Sequence, residues 1–304
     1  MSVFLAFFTY FAYLFITLCY LIKIVTYLRL PVHLRWELYP VIYEKNLQYG
    51  KSRFEGIDGL SERSKKHLVR AVLFLVKEYL HFGEYFRRHR LYWSVLYPWH
   101  IGFLLIILFH SLCFVGGLAM AWNIGVSATS SVMTGRFLFY AILVTGAVGF
   151  VAGSLGSIGL LALRIYDPSL RAYATPLNYV SYLFTLALFL SGLCGWLFYD
   201  TDLAEYRRFW KGLVTFTFVP VGGLTLVHIV TFNLFLVYLP FTRSLHYITR
   251  FFAFFLIRWD DEPNVRGGRL EARLKDQLRQ NVSWAAPHVR SGKSWQEQAA
   301  DDEN

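Results

Sequence analysis

Four histidines lie inside strongly apolar stretches, where an imidazole is costly unless it has a ligand or a hydrogen-bond partner. His228 and His246 are eighteen residues apart in LVHIVTFNLFLVYLPFTRSLH, and His100 and His110 are ten apart in PWHIGFLLIILFHSL. Imidazole is an axial ligand of haem iron, and a low-spin haem takes two axial ligands. Two such pairs therefore suit two haems of the b type. The alternative is that each imidazole is a polar group hydrogen-bonded inside a helix bundle.

Helix geometry brings the histidines of each pair close to one face. Eighteen residues make five turns, so His228 and His246 share a face and stand ~27 Å apart, close to the ~30 Å of a bilayer core. Ten residues place His110 about 80° out of register with His100, near enough for one face of a tilted helix. We therefore expect His100 to pair with His246, and His110 with His228.

The composition is that of an integral membrane protein. Of the 304 residues, 56% are hydrophobic and only 16% are charged, which excludes an ordinary soluble domain. We expect the net charge of +10 to serve contact with anionic lipid and a partner protein, not with nucleic acid. Cys19, Cys113 and Cys194 form no CxxC pattern, so any iron–sulfur cluster must belong to another subunit.

The apolar stretches predict an all-α bundle of five membrane-spanning helices. We expect them at 3–29, 93–122, 137–165, 177–199 and 212–246, with kinks at Pro220 and Pro240 in the last. The chain then divides into a first transmembrane helix (1–29), a connection (30–92), a four-helix haem-binding core (93–246) and a tail (247–304). No basic region precedes the first helix, so we expect it to be retained and not cleaved as a signal peptide.

Three further segments have recognisable patterns. Residues 61–82 have apolar residues at helical spacing between basic ones, which predicts an amphipathic helix on the membrane surface or against a partner. Residues 269–280 of the tail are expected to be helical. In the third span, one face carries Gly146, Gly149, Gly153, Gly156 and Gly159. This series indicates close helix packing, a groove in which a flat porphyrin approaches the backbone, or both together.

The distribution of lysine and arginine predicts the orientation. Most of these residues lie in the 30–92 connection, the 166–175 loop and the 247–304 tail. Basic residues favour the cytoplasmic side of a membrane, so the N-terminus is expected outside, and the long connection and the C-terminus are expected in the cytoplasm. The opposite loops hold only Arg136, Arg207, Arg208 and Lys211. His100 and His246 then lie toward the cytoplasm, and His110 and His228 toward the outer face.

The spacing of the four histidines resembles that of the gamma subunits of respiratory nitrate reductases. The H-x9-H of His100 and His110, the H-x17-H of His228 and His246, and the YLPFTRSLH ending carry this resemblance over residues 90–250. The long connection departs from that family. RLPVHLRWELYP (residues 29–40) and RWDDEPN (258–264) instead resemble the cytochrome b subunits of the Dsr, Tmc and Hmc complexes of sulfate reducers, themselves similar to the heterodisulfide reductase membrane subunit.

The resemblance implies an electron-transfer subunit with two haems b. It also implies a multi-pass protein of the inner (cytoplasmic) membrane that takes part in sulfate respiration. It implies menaquinone as substrate, a cytoplasmic heterodisulfide-reductase-like iron–sulfur subunit and a periplasmic multihaem cytochrome c as partners. It also implies a quinone near the outer haem, where Arg136 could bond a carbonyl and Ser111 and Gly117 could complete the pocket. Arg243 could pair a haem propionate. The alternative is that both arginines contact lipid headgroups.

Two other functions are compatible with parts of the sequence. Buried histidines and interrupted helices also occur in transporters, although we see no inverted repeat and no acidic residue within a span. A membrane anchor for a peripheral enzyme would need only packed histidines. Haem content distinguishes both from an electron-transfer subunit.

Overall fold

The computed structural model describes residues 2–29, 68–242, 246, 248–249 and 266–301. Within these residues the protein is helical and contains no β-strand, apart from two isolated bridges near the C-terminus. The helices are α1 (Ser2–Leu28), α2 (Leu68–His81), α3 (Gly83–Arg88), α4 (Arg90–Ala121), α5 (Met133–Tyr166), α6 (Pro168–Ala172), α7 (Pro176–Phe198), α8 (Ala204–Thr215), α9 (Gly223–Tyr238), α10 (Arg269–Leu278) and α11 (Trp295–Ala300). A 3-10 turn, Leu239–Phe241, follows α9 directly.

Five of the described helices are long and apolar enough to cross a membrane, as in a multi-pass membrane protein. They are Val3–Leu28, Arg90–Ala121, Met133–Tyr166, Pro176–Phe198 and Gly223–Phe241. The predicted number of spans is therefore confirmed. Four of the five agree with the predicted ranges to within a few residues at each end, because long apolar runs bounded by polar or aromatic residues determine them locally.

The fifth span differs from the prediction of one helix over 212–246. The helix α8 ends at Thr215, Phe216 has a left-handed backbone (φ 56°), and α9 begins only at Gly223. Pro220 lies in the break between the two helices and does not kink a continuous one. Beyond α9, Pro240 forms part of the 3-10 turn and Thr242 is extended. His228 and His246 are consequently not on one uninterrupted helix, and their shared face does not follow from helix periodicity.

The described chain forms two compact units. The first contains Met1–Cys19 and Lys77–Thr242. In it α4 packs along α5, α5 against α7, α7 against α9, and α8 against α4. The helix α1 joins this unit through two hydrogen bonds, from Asn233 Nδ2 to Thr9 Oγ1 (2.8 Å) and from Tyr10 Oη to the Leu213 carbonyl (2.5 Å).

The glycines of α5 bring α4 and α5 close together. A Cβ at Gly102 would lie 2.5 Å from Gly153 Cα, and a Cβ at Gly149 would lie 3.1 Å from Leu105 Cβ. Gly156 faces Trp99, and Gly159 faces Val95. Of the two interpretations of the glycine series, the structure therefore supports close helix packing, because protein atoms already occupy the space in front of these glycines.

The second unit contains Tyr20–Val76 and Arg243–Asn304. Its C-terminal part contains α10 and α11. The helix α10 confirms the predicted tail helix, although it ends two residues earlier than predicted. The helix α11 begins with a capping box formed by Ser294 and Glu297. Val282 and Val289 are its buried apolar side chains in the loop between these helices. Of the predicted amphipathic helix at 61–82, residues 68–81 form α2, and residues 61–67 lie outside the described part of the chain.

Candidate functional site

The imidazoles of His110 and His228 lie next to each other in the core of the first unit. His110 is on α4 and His228 is on α9. Their ring centres are 5.7 Å apart, and the two ring planes are parallel to within 4°. Both side chains are buried, with exposures of 4% and 0%. The structure therefore brings together the two histidines that were predicted to form the outer pair.

The hydrogen bonds of His228 determine which of its nitrogens is available. Its Nδ1 lies 3.1 Å from the Leu188 carbonyl oxygen and 3.2 Å from Ser191 Oγ, both on α7. A carbonyl oxygen only accepts, so Nδ1 carries the proton and donates it to Leu188. The neutral ring then has a bare lone pair on Nε2, which is the form that binds a metal.

The remaining nitrogens of the pair have no hydrogen-bond partner among the described residues. This applies to Nε2 of His228 and to both nitrogens of His110. A buried polar atom without a partner costs about 1–3 kcal/mol, so unsatisfied imidazoles in two adjacent buried positions are expected to serve a ligand. The two rings are close enough for one bound group to contact both imidazoles.

The donor set suits a haem better than a bare metal ion. In the described part of the chain, no group of three or more His, Cys, Asp or Glu side chains is placed to hold a metal. A structural zinc site needs four protein ligands. A haem supplies four nitrogens itself and takes only axial ligands from the protein. His110 and His228 are therefore sufficient for a haem and insufficient for a closed zinc site.

Aromatic side chains enclose the two imidazoles. The Phe232 ring stacks on His110 with a centre-to-centre distance of 3.7 Å. Tyr206 and Phe150 approach His228 edge-on at 5.6 and 5.1 Å. Further rings complete this shell, namely Phe109 and Trp210. The surroundings are apolar, which lowers the local dielectric and excludes water from the pair.

The helix α8 covers this site and was not predicted. Asp200 caps it by accepting hydrogen bonds from the backbone N–H groups of Ala204 and Glu205, each at 2.8 Å. Arg207 is buried, donates to the Asp202 carbonyl and lies over the Phe139 ring at 4.9 Å. Gly117 of α4 allows the close approach, because a Cβ there would lie 2.9 Å from the Trp210 carbonyl carbon.

Tyr206 places a buried hydroxyl beside the site. Its side chain has no exposure, and its oxygen has no hydrogen-bond partner among the described residues. Burial, with a smaller contribution from Asp200, raises the pKa of Tyr206 well above its usual value. The hydroxyl therefore stays protonated and is available as a donor. Sequence reasoning missed Tyr206 and α8, although Tyr206, Phe209, Trp210 and Leu213 have helical spacing.

The predicted inner pair is described in part. His100 is half-buried on α4, where its Nδ1 lies 3.0 Å from the Leu96 carbonyl oxygen, so that Nδ1 donates and Nε2 keeps its lone pair. The rings of Phe82 and Trp99 lie 4.6 and 4.9 Å from it. His246 is exposed in the second unit, and the pairing of His100 with His246 stays a prediction. Arg243 lies outside the described residues.

The residues predicted for a quinone site occupy three different environments. Arg136 is exposed in the first turn of α5. Ser111 is also exposed, and its hydroxyl donates to the Ile107 carbonyl (2.8 Å), whereas the preceding His110 is buried on another side of α4. Gly117 packs on the backbone of α8. Only Gly117 is thus in contact with an element that encloses the histidine pair.

No protein-family model matches the chain, and neither the curated proteins nor the solved structures contain a significant match. The function is therefore inferred from the residues and geometry of the histidine pair.

Proposed function

We propose that this chain is a dihaem b membrane subunit of a respiratory redox complex. The observation that carries the proposal is the buried His110–His228 pair, with parallel rings and unpartnered Nε2 atoms. His110 and His228 would hold one haem. A haem bound there would supply one-electron redox chemistry.

The residues around the pair have three tasks in this proposal. The Leu188 carbonyl fixes the tautomer of His228 and orients its ring, as outer partners of metal-binding histidines commonly do. Phe232 holds the plane of His110 by stacking on it. The shell formed with Tyr206 and Trp210 keeps water away from both imidazoles. Together they preorganise the ligands, which limits the rearrangement that accompanies a change of charge.

A second haem would be held by His100 and His246, with Arg243 paired to a propionate. The Nδ1 of His100 donates to the Leu96 carbonyl, as the Nδ1 of His228 donates to the Leu188 carbonyl. Two haems at different depths would allow electrons to cross the membrane in two steps. The outer haem would be the one at His110 and His228.

The proposed placement of this chain in a membrane complex is based on the distribution of its basic residues and on the family resemblance. We propose an inner-membrane location with the N-terminus outside, and a cytoplasmic iron–sulfur subunit of the heterodisulfide-reductase type bound by residues 30–92 and 247–304. Menaquinone and a periplasmic multihaem cytochrome c would exchange electrons at the outer side. Arg136, Ser111 and Gly117 remain the proposed residues of the quinone site, with menaquinone hydrogen-bonded by Arg136.

Haem content tests the proposal directly. The full chain, purified from membranes, should show b-type bands in a reduced-minus-oxidised spectrum with about two haems per chain. His110→Ala and His228→Ala should each remove the outer haem and leave the inner one. His89→Ala is the matched control, because His89 is exposed, and it should retain both haems. Absence of b-type bands would favour an anchor or a transporter, and two full haems in His228→Ala would refute the assignment.

A further inference from the structure

The helix α2 presents a row of exposed apolar side chains. Val69, Val72, Leu73, Val76 and Leu80 are between 44% and 71% exposed. Their spacing of three and four residues places them within an arc of about 100° on one face of the helix. An amphipathic helix normally buries such a face, so some other surface is expected to cover it.

The C-terminal end of α2 is attached to the start of α4. The indole N–H of Trp93 donates to the His81 carbonyl (2.9 Å), and the His81 imidazole packs edge-on against Trp93 and Tyr97. Phe82 has a left-handed backbone (φ 50°), and its ring lies 4.6 Å from His100. The chain therefore turns sharply after α2 and is held there.

This attachment lies at the level of the membrane surface. Trp93 and Tyr97 belong to an aromatic group at the beginning of a membrane-spanning helix, and such residues favour the interface between headgroups and acyl chains. Because His81 at the C-terminal end of α2 is bonded to Trp93, this end of the exposed apolar face lies beside the bilayer. A lipid surface is consequently the nearest apolar phase that could cover it.

The basic residues next to the apolar face favour lipids with anionic headgroups over zwitterionic ones. Lys77 is exposed on α2, and three exposed arginines follow within the next helical segments. Anionic headgroups attract basic residues near a membrane, whereas zwitterionic ones do so weakly. In this part of the chain the basic residues Lys77, Arg87, Arg88 and Arg90 outnumber the acidic residues Glu78 and Glu84.

We propose that α2 is an interfacial helix that binds anionic lipid, so that within residues 30–92 the apolar face of α2 is covered by lipid and the remaining surface is left for the protein partner. Its apolar face, from Val69 to Leu80, enters the boundary between headgroups and acyl chains, and its basic neighbours bind lipid phosphate. The attachment at His81 and Phe82 holds the C-terminal end of α2 at the start of α4. This inference is independent of whether the protein binds haem.

Fluorescence quenching in lipid nanodiscs tests the proposal on the full chain. Cys19, Cys113 and Cys194 are replaced by alanine, and a single cysteine carrying an environment-sensitive fluorophore is introduced by Leu73→Cys or Val76→Cys. Glu78→Cys is the matched control, because position 78 is on the opposite side of α2 from the apolar face. The nanodiscs contain phosphatidylcholine brominated in the upper acyl chain, with or without phosphatidylglycerol.

We expect a blue-shifted emission and strong quenching by bromine at positions 73 and 76, both increased by phosphatidylglycerol. The label at position 78 should instead be quenched by aqueous iodide. Iodide quenching at all three positions would overturn the proposal. Protection from iodide without bromine quenching would also overturn it, because the apolar face would then be covered by protein. Equal bromine quenching with and without phosphatidylglycerol would reject the requirement for anionic lipid.

Discussion

At the scale of the residue, the hydrogen bond between His228 and the Leu188 carbonyl determines which nitrogen of His228 can bind a ligand. The Leu188 carbonyl can only accept, so the proton of His228 is held on Nδ1 and the lone pair is on Nε2. The carbonyl belongs to the backbone, so this partner persists whatever side chain occupies position 188. Ser191 contributes a second oxygen at 3.2 Å from the same nitrogen.

The Ser191 hydroxyl should strengthen haem binding without being required for it. We predict that Ser191→Ala retains haem but lowers its affinity by about tenfold, the low end of the effect expected for outer partners of a metal-binding histidine. Titration of haem into the haem-free protein measures this affinity. Ser111→Ala is the control, because that hydroxyl is exposed and bonded to the Ile107 carbonyl, and it should leave the affinity unchanged. Complete loss of haem in Ser191→Ala would show that the Leu188 carbonyl alone does not hold the tautomer.

At the scale of the element, α8 closes the site from one end. It is short, and both residues that flank it, Leu203 and Phe216, have a left-handed backbone, which is unfavourable for non-glycine residues. Burial of Tyr206, Phe209 and Trp210 offsets this cost. The position of α8 therefore depends on its cap and on its contacts with α4, more than on helix propensity.

The cap of α8 can be removed separately from its contacts with the histidines. Asp200→Ala deletes two hydrogen bonds to the first turn and should lower the free energy of unfolding by about 1 kcal/mol. Thermal denaturation measures the stability. If the outer haem is present, its reduction by aqueous dithionite should also become faster, because the cover is loosened. Asp202→Ala is the control, since that side chain is exposed and only its carbonyl is used, and it should change neither quantity.

At the scale of the whole molecule, the five spans require the loops to alternate between the two sides of the membrane. The loop between α4 and α5 and the segment with α8 then lie on one side, and the loop with α6 lies on the other. In the proposed orientation, which is based on the bias of basic residues, the side of α6 is the cytoplasmic one. The histidine pair covered by α8 would accordingly be the outer one.

Labelling of single cysteines in intact cells checks this orientation. In the background without native cysteines, we predict that Thr129→Cys reacts with a membrane-impermeant maleimide in whole cells. Tyr173→Cys should react only after lysis. Both positions are exposed, so a difference in labelling reports the side of the membrane and not burial. The reverse pattern would invert the topology and with it the assignment of inner and outer haems.

The sequence by itself determined those elements whose causes are local. The five apolar helices, the amphipathic α2 and the tail helix α10 follow from composition and periodicity within each segment. The four histidines were also identifiable from the sequence, because a polar imidazole in an apolar run is costly wherever the helices pack. The glycine series predicted a close approach, although not which helix α5 would contact.

Only the tertiary structure decided the contacts that make the site specific. It showed that His228 uses the Leu188 carbonyl, that Phe232 stacks on His110, and that α8 is a separate helix. It also showed that the expected 212–246 helix is interrupted between Thr215 and Gly223, a segment that contains Pro220 and Gly222, and that Tyr206 and Trp210 of α8 are buried. These contacts join segments that are distant in the chain, and local periodicity carries no information about which segments meet.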